Sequence, residues 1–334
     1  MKMKKILVLA ILATMFVGCE QDNTPEKDDF IHTGVYFSYG AEFTRTSLDA
    51  DNGGSYFLWK AGDKIGVSCE EAKVTNKEAV VATQYDNQRK AAFSTGIEFN
   101  GDAEHTFNIY YPYKASTSAY PVNPTSVRHT LSANQNGAVG AYDFMWDQVT
   151  ASKENPVARG EMKHPFAYIR FYIVNVKEKD ENGDIVNADV AVAGREVTAI
   201  SMKSDGTLVG DFTADFNNFE KNQVSFGGST SSSVTLTPTE PLTILTVKEY
   251  NEAKKDIPDN YPVLIINPAG VGASFDVSVQ VAGTAPMNTT FDMGDRKFEA
   301  NNFYNIGLGG SFVNGKLTFT VIDWERVTMD VTFN

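Results

Sequence analysis

The chain has 334 residues, a formal net charge of −13 at pH 7, and 42% hydrophobic and 12% aromatic residues. The acidic excess argues against nucleic acid as a partner, because Lys and Arg supply the affinity for phosphate, and against a protein that lies flat on anionic lipid. The length predicts two domains, and the apolar content is enough for a buried core.

The N-terminus has the pattern of a lipoprotein signal peptide. Met1–Lys5 is basic, and Ile6–Val17 is an apolar run that is too short to span a bilayer but typical of the central part of a signal peptide. The run ends in FVGC, which resembles a lipobox. We therefore expect a signal peptide over residues 1–18 and lipidation of Cys19, whose several acyl chains would give stable anchoring. An ordinary signal peptide that happens to contain a cysteine is the alternative.

A flexible tether is predicted over residues 19–30. Glu20–Asp29 is polar and acidic and contains no apolar residue, so it cannot bury enough surface to fold. An acidic run directly after a lipidated cysteine resembles the signal that sends some Gram-negative lipoproteins to the outer face of the outer membrane, with the periplasmic face as the alternative. Cys69 is the only other cysteine, so an intrachain disulfide is excluded once Cys19 is lipidated.

Beyond the tether, the sequence predicts an all-β fold. Short alternating runs separated by turn residues indicate strands, and their spacing is typical of a β-sandwich. The predicted strands are Tyr36–Tyr39, Lys64–Ser68, Thr106–Tyr111, Tyr168–Val176, Val190–Val192, Val234–Leu236, Val263–Ile266, Phe275–Val281, Leu317–Ile322 and Val327–Phe333. Asn314-Gly315 predicts a type I′ hairpin, and Val247–Lys255 is the one good helix candidate.

Polar and glycine-rich segments divide this pattern. The stretch between Gln148 and Met162 predicts a domain boundary, with an N-terminal sandwich over residues 31–155 and a C-terminal sandwich over residues 156–334. Phe226–Ser233 (FGGSTSSS) predicts a long loop inside the second sandwich, and Gly307–Gly310 predicts a turn.

Catalytic and metal-binding patterns are missing from the sequence. No two histidines are close together, and HExxH, CxxC and G-x-S-x-G are absent. Asp180–Asp184 has its glycine at the wrong position for a calcium loop, so we expect a hairpin tip, with weak calcium binding as the alternative. His164 precedes an apolar strand and is interpreted as a satisfied core or boundary residue. We therefore predict no enzyme activity, no cofactor and no metal.

Several segments resemble the fimbrillin family, in its Mfa-like branch. Trp59–Val67 (WKAGDKIGV) matches a W-x-x-G-D-x-I-x-V pattern near the start of these proteins. Further matches follow in family order at Ala92-Phe93, Tyr110–Tyr113, Asp143–Trp146, Lys163–Phe171, Asn302–Ile306 and Ile322–Trp324, although Met162 replaces the usual aromatic or apolar lead. The resemblance implies two tandem transthyretin-like sandwiches and a subunit of a type V pilus.

The resemblance also implies a route of assembly. Members of the family are exported as lipoproteins, an Arg-specific protease removes the first strand, and a strand of the next subunit fills the groove by β-strand addition. In this chain the removable strand would contain Val35, Phe37 and Tyr39, and cleavage after Arg45 would make Thr46 the first residue. A candidate donor strand alternates at Val327, Met329, Val331 and Phe333, a pattern that equally suits the last strand of a closed sandwich.

The implied partners are other pilus subunits, the outer membrane through the lipid anchor, and a host protein or glycan. The implied location is the surface of the outer membrane, and the fimbrium after processing. A cell-surface glycan-binding lipoprotein that does not polymerise is the alternative function. The aromatic run Tyr110–Tyr113 could stack on sugar rings in such a protein, although residues of this kind also close sandwich cores. A hydrolase with an unrecognised site is the third possibility.

Overall fold

A computed structural model describes residues 35–39, 48–51, 54–86, 91–179, 185–188, 193–246, 261–313 and 316–328. Most of these residues lie in strands, which confirms the all-β prediction. In chain order the strands are β1 Tyr36–Tyr39, β2 Leu48–Asp51, β3 Gly54–Phe57, β4 Lys64–Cys69, β5 Val74–Val80, β6 Ala91–Ser94, β7 His105–Tyr111, β8 Val122–Asn123, β9 Ser126–Leu131, β10 Asn134–Gln135, β11 Met145–Ala151, β12 Val157–Gly160, β13 Ala167–Val174, β14 Val176–Lys179, β15 Ile185–Ala188, β16 Glu196–Lys203, β17 Val209–Asp215, β18 Ser225–Ser231, β19 Ser233–Leu236, β20 Leu242–Thr243, β21 Val263–Ile266, β22 Ser274–Val281, β23 Met287–Asp292, β24 Asn302–Val313 and β25 Lys316–Thr328.

Helical structure in the described residues is limited to single turns. One short α-helix spans Val139–Tyr142, and 3₁₀ turns span Thr83–Tyr85, Phe216–Lys221 and Pro268–Gly270. In this part of the chain, no helix has the length and apolar character that crossing a membrane requires.

The strands form several sheets. Their orders are β12-β1-β6, β11-β7-β4-β5, β18-β17-β9-β8, β21-β13-β24-β25, β10-β19-β16-β22-β23 with β20 also on β16, and the two-stranded sheets β2-β3 and β14-β15. Three ladders in the described residues pair distant parts of the chain in parallel: β1 with β12, β10 with β19, and β13 with β24. A parallel pair needs a crossover connection, which explains why its members are far apart in sequence.

The first core lies between the sheets β12-β1-β6 and β11-β7-β4-β5, whose inner side chains form one buried cluster. Phe37 of β1 meets Phe107 of β7 across this space, edge to face, with ring centroids 5.3 Å apart. Two sheets that share an apolar interior in this way are a β-sandwich.

The second core is larger, and it also receives side chains from β7 and β11. Successive residues of a strand point to opposite faces. Ile109 and Tyr111 therefore belong to the first core, whereas Tyr110 between them belongs to the second. In β11, Met145 faces the first core and Trp146 the second. The sheet β11-β7-β4-β5 is thus covered on both faces, and the inner strand β7 is buried almost throughout.

Most of the predicted strands that fall in described residues are present, with bounds that differ by one or two residues. The predicted strand Leu317–Ile322 lies in β25, which continues to Thr328 and so contains the first two residues of the predicted strand Val327–Phe333; the remaining residues of that strand lie outside the described part of the chain. Val313 of β24 pairs with Lys316 of β25 in an antiparallel ladder, whereas Asn314-Gly315 lies outside the described residues and its type I′ turn stays a prediction. The predicted strand Val190–Val192, the predicted helix Val247–Lys255 and the predicted hairpin tip Asp180–Asp184 lie outside the described residues.

Two predictions were wrong. Phe226–Ser233 was expected to be a loop, but most of it forms β18, which pairs with β17. Gly307–Gly310 was expected to be a turn, but it lies inside β24. The reason for the second case is steric, because a Cβ at Gly307 would lie 2.7 Å from Cζ of Tyr172. The glycine makes room for a ring of the neighbouring strand and does not bend the chain.

The predicted boundary segment, Gln148 to Met162, takes part in the first core. It contains the end of β11 and all of β12, and Met162 is fully buried in the first-core cluster. Lys163 then pairs with Trp146 through two main-chain hydrogen bonds of 2.9 and 3.1 Å. The division into sandwiches over residues 31–155 and 156–334 stays a prediction.

Gly66 in β4 lies so close to the ring of Tyr110 that a larger residue would collide with it. A Cβ at this position would lie 2.5 Å from Cζ of Tyr110, which is buried. We expect Gly66→Ala to lower the free energy of unfolding by about 1–3 kcal/mol, because overpacking forces the ring or the strand to move. Denaturant titration measures this change. Gly227→Ala is the control, because a Cβ there meets no atom within 4 Å; equal losses in the two variants would contradict the steric explanation.

Candidate functional site

The strand β1 occupies the middle of a three-stranded sheet. It pairs in parallel with β12, where Phe37 lies opposite Ala158, and antiparallel with β6, where Phe37 lies opposite Phe93. The space between β6 and β12 that β1 fills is called the β1 groove here. Without β1, main-chain groups on both sides of this groove would lose their partners, at a cost that buried N–H and C=O groups rarely bear.

The side chains of β1 that are described point into the first core. Val35 is 1% exposed and Phe37 is 0% exposed. Val35 is also held by its main chain, since its N–H donates to the carbonyl of Ile97 at 3.0 Å and its carbonyl accepts from Oγ1 of Thr95 at 3.4 Å. The β1 groove therefore has an apolar floor as well as hydrogen-bonding edges.

Tyr39, the third residue of the predicted removable strand, pairs with Gly160 of β12 and with Ala91 of β6. Its backbone thus completes the two ladders that begin at Tyr36, and its side chain lies outside the described residues. Phe37 and Tyr39 lie in β1, and Val35 directly precedes it; that these residues form a removable strand stays a prediction.

One wall of the β1 groove rests on a buried carboxyl group that the sequence did not single out. Asp147 of β11 is 4% exposed, and its carboxyl lies against Gly160, where a Cβ would fall 3.1 Å from Cγ of Asp147 and even closer to Oδ2. Burial raises the pKa of Asp147 to about 7, against the opposing effect of the Gln148 amide, which donates to Oδ1 at 2.8 Å. No sequence signal marks Asp147 among the many other acidic residues.

The WKAGDKIGV motif has a structural role in the first core. Trp59 is fully buried and meets Phe93 and Tyr111 edge to face, with ring centroids 5.1 and 5.5 Å apart. Gly62 has φ +89°, a left-handed conformation that favours glycine. Asp63 closes the turn, because its carboxylate accepts hydrogen bonds from the Lys60 amide at 2.8 Å and from the Tyr111 hydroxyl at 3.2 Å.

The histidines that the structure describes have structural partners. Nδ1 of His164 lies 3.1 Å from Oδ1 of Asp143, both side chains are 0% exposed, and the Tyr168 hydroxyl donates to the same oxygen. His105 accepts a hydrogen bond from the Asn100 amide at Nε2, 3.0 Å away, so its Nδ1 donates to a carbonyl. The contact of Nδ1 with Asp143 and the complete burial of the ring support the interpretation of His164 as a core residue.

His129 is enclosed by aromatic rings, and burial lowers its pKa to about 4. The ring stacks on Phe212 at 5.8 Å and contacts Phe144 at 5.7 Å. In the part of the chain that the structure describes, no group of three or more His, Cys, Asp or Glu residues is arranged to hold a metal ion.

The aromatic run that could have stacked on sugar rings is mostly inside the protein. Tyr110 is 1% exposed and Tyr111 is 4% exposed, whereas Tyr113 is half-buried. Burial raises the pKa of the Tyr110 hydroxyl to about 12, and that hydroxyl donates to Oδ1 of Asn76 at 2.7 Å. The two buried rings close the cores and cannot form a surface for a glycan.

Of the remaining predicted site residues, only Val327 lies in the described part of the chain. Val327 belongs to β25 and pairs with Phe303 of β24. The other members of the candidate donor strand and of the processing site lie outside the described residues: Met329, Val331, Phe333, Cys19, Arg45 and Thr46. Lipidation of Cys19 and cleavage after Arg45 stay predictions.

Comparison with known proteins gives a family and a fold. The family described as fimbrillin-like matches residues 44–324. A crystal structure of a candidate cell adhesion protein from Bacteroides uniformis has a TM-score of 0.54 and 15% identity, over 91% of this chain and 100% of that chain. Another, from Bacteroides ovatus, has a TM-score of 0.52 and 14% identity, over 89% and 98%. No curated protein matches.

Phe37 tests how strongly β1 is held in its groove. We expect Phe37→Ala to lower the free energy of unfolding by about 3–5 kcal/mol, because a buried ring that contacts Phe107 is replaced by a cavity. Denaturant titration of the full chain measures the change. Val157→Ala on β12 is the control, since Val157 is 38% exposed and should cost less than about 1 kcal/mol. A loss below 1 kcal/mol for Phe37→Ala would mean that β1 does not support the first core.

Proposed function

The chain belongs to the fimbrillin-like family, and we therefore propose that it is a structural or adhesive subunit of a type V pilus at the cell surface. In this proposal the chain is exported as a lipoprotein on Cys19, reaches the outer membrane, and joins other pilus subunits by β-strand addition once its first strand is removed. Its function is assembly and adhesion, without catalysis. The single observation that carries the proposal is the central position of β1 between β6 and β12.

A central strand suits this kind of exchange better than an edge strand does. Removal of β1 would expose two ladders, the antiparallel one on β6 and the parallel one on β12. It would also expose the pocket that holds Phe37 against Phe107. An incoming strand gains main-chain hydrogen bonds on both sides and buries an alternating set of side chains, which are the two sources of affinity in strand addition.

The position of Arg45 suits removal of β1 as a unit. The strand β1 ends at Tyr39 and β2 begins at Leu48, so Arg45 lies between two described strands in the sequence. Cleavage after Arg45 would separate β1 from the remainder of the chain without a cut inside either strand, and Thr46 would become the first residue.

The C-terminus repeats the side-chain pattern that the β1 groove accepts. Val331-Thr332-Phe333 has valine and phenylalanine two positions apart, as Val35-Tyr36-Phe37 has at the start of β1. Val35 and Phe37, whose side chains are the described ones in this segment, are both buried. We propose that a second copy places Val331 in the Val35 position and Phe333 in the Phe37 position. Because Val327 is paired with Phe303 in its own sheet, the donated part begins after β25.

Processing at Arg45 is tested with the purified full chain and an Arg-specific protease. The expected products are chains that start at Thr46, seen by intact mass and N-terminal sequencing, and ladders of high mass on non-denaturing gels. Arg45→Ala should abolish both, because β1 then stays in its groove. Arg296→Ala is the control, since Arg296 is an exposed arginine far from β1 in sequence.

Surface protein that remains lipidated at Cys19 and uncut would exclude a processed stalk subunit. It would leave an anchor subunit or a glycan-binding lipoprotein, which saturable binding of a polysaccharide to the uncut protein would separate. Ladders that form from Arg45→Ala would show that polymerisation does not depend on removal of β1.

Donor recognition is tested with a labelled peptide of residues 326–334 added during cleavage. We expect binding by fluorescence polarisation, and a loss of affinity on the order of 100-fold when the peptide carries Phe333→Ala, because the ring fills the Phe37 pocket. The Thr332→Ala peptide is the matched control, since position 332 lies on the opposite face of the strand. Equal affinities for the three peptides would contradict the proposed register.

A further inference from the structure

The strand β12 is held in place mainly by β1 on one side and β11 on the other. Among the described strands it is at the edge of its sheet, and β1 is its only ladder partner. Its other side packs on β11, where a Cβ at Gly160 would fall 2.5 Å from Cγ1 of Val149 and closer still to Oδ2 of Asp147. This spacing leaves no room for water between the Asp147 carboxyl and the backbone of β12.

The charges near Asp147 only partly stabilise a carboxylate there. The ammonium of Lys163 and the backbone N–H of Glu161 favour the anionic form, and the carboxylate of Glu161 opposes it. Lys163 is also shared with Glu220, since its Nζ lies 3.8 Å from that carboxylate. Arg159 of β12 is exposed to solvent, and the paired strand β7 carries no Asp, Glu, Lys or Arg. Burial therefore has the largest effect on the pKa of Asp147.

We propose that Asp147 is a protonation-controlled latch on β12, an inference that rests on the strand exchange proposed above. The neutral carboxyl lets β12 stay packed on β11 and beside β1. The carboxylate is poorly solvated in that position, so ionisation favours an open state in which β12 moves away and water reaches the charge. Because β12 forms one wall of the β1 groove, opening would also speed the exit of β1 and the entry of a donor.

The direction of the pH dependence follows from linkage. The closed state binds the proton of Asp147 more tightly than the open state, since burial raises the pKa to about 7 and exposure returns it to about 4. The fraction of open molecules therefore increases as the pH rises from about 4 to about 7, and it levels off above 7 because both states are then ionised. The latch is closed in acid and released near neutral pH.

Hydrogen–deuterium exchange of the intact, uncleaved chain between pH 5 and pH 8 tests the latch. After correction for the intrinsic rate of exchange, opening at the amides of Val157–Gly160 should increase at least about tenfold between pH 5 and pH 7, and should then stay constant. Amides of the strand Glu196–Lys203, which pairs with other strands, serve as the internal control and should show no such step.

Three variants separate the latch from a general loss of stability. Asp147→Asn keeps the shape without the charge, so exchange in β12 should be independent of pH and at least as slow as in the wild type at pH 5. Lys163→Gln removes the ammonium that favours the carboxylate, so the increase should continue to higher pH. Asp276→Asn, a substitution at an exposed position of β22, should keep the wild-type step.

A wild-type protein without a pH step in β12, or the same step in Asp147→Asn, would overturn the latch. These measurements need neither cleavage nor polymerisation. A pH step together with failure of the Arg45 experiment would therefore leave the latch in place and remove the proposed pilus assembly. If both hold, the labelled peptide of residues 326–334 should enter the cleaved chain about tenfold faster at pH 7 than at pH 5, and Asp147→Asn should abolish this difference.

Discussion

The first core can close only while a strand lies between β6 and β12. That strand satisfies main-chain groups on both sides and places a large ring at the centre of the sandwich, as Phe37 does against Phe107. Burial of unpaired main-chain groups is costly, so an empty β1 groove is not a stable alternative. The main-chain hydrogen bonds and the buried ring that hold β1 in place would also give a replacement strand its affinity. A strand that supports the core can therefore also be exchanged.

The sheet β11-β7-β4-β5 connects this groove to the larger second core, because it is covered on both faces. Side chains pack densely against both faces of such a sheet. Glycines occupy the positions where a ring or a carboxyl group lies close to the backbone. Gly66 accommodates the ring of Tyr110, and Gly160 accommodates the carboxyl of Asp147. The contact between Asp147 and Gly160 places a titratable carboxyl group against β12, which is one wall of the β1 groove. Packing around Asp147 can therefore influence strand exchange in that groove.

The success of the sequence interpretation depended on how local each signal was. Strands such as Val263–Ile266 were found at their true bounds because alternating or continuous apolar runs need no knowledge of neighbours. Glycine-rich segments were misinterpreted, since a glycine serves a turn in one place and a close approach in another. Gly307 illustrates this, because the ring of Tyr172 that requires it lies on a strand more than a hundred residues earlier. β12 escaped notice because four residues within a polar segment give no periodic signal.

The sequence by itself determined the all-β class and the bounds of the strand Tyr36–Tyr39. Each of these depends on side-chain alternation or on turn chemistry within about ten residues. Only the tertiary structure decided that β1 lies between β6 and β12 and that Asp147 meets Gly160. The physical reason is that pairing, burial and the pKa of a carboxyl depend on which distant segments exclude water from one another, and a local pattern does not contain that information.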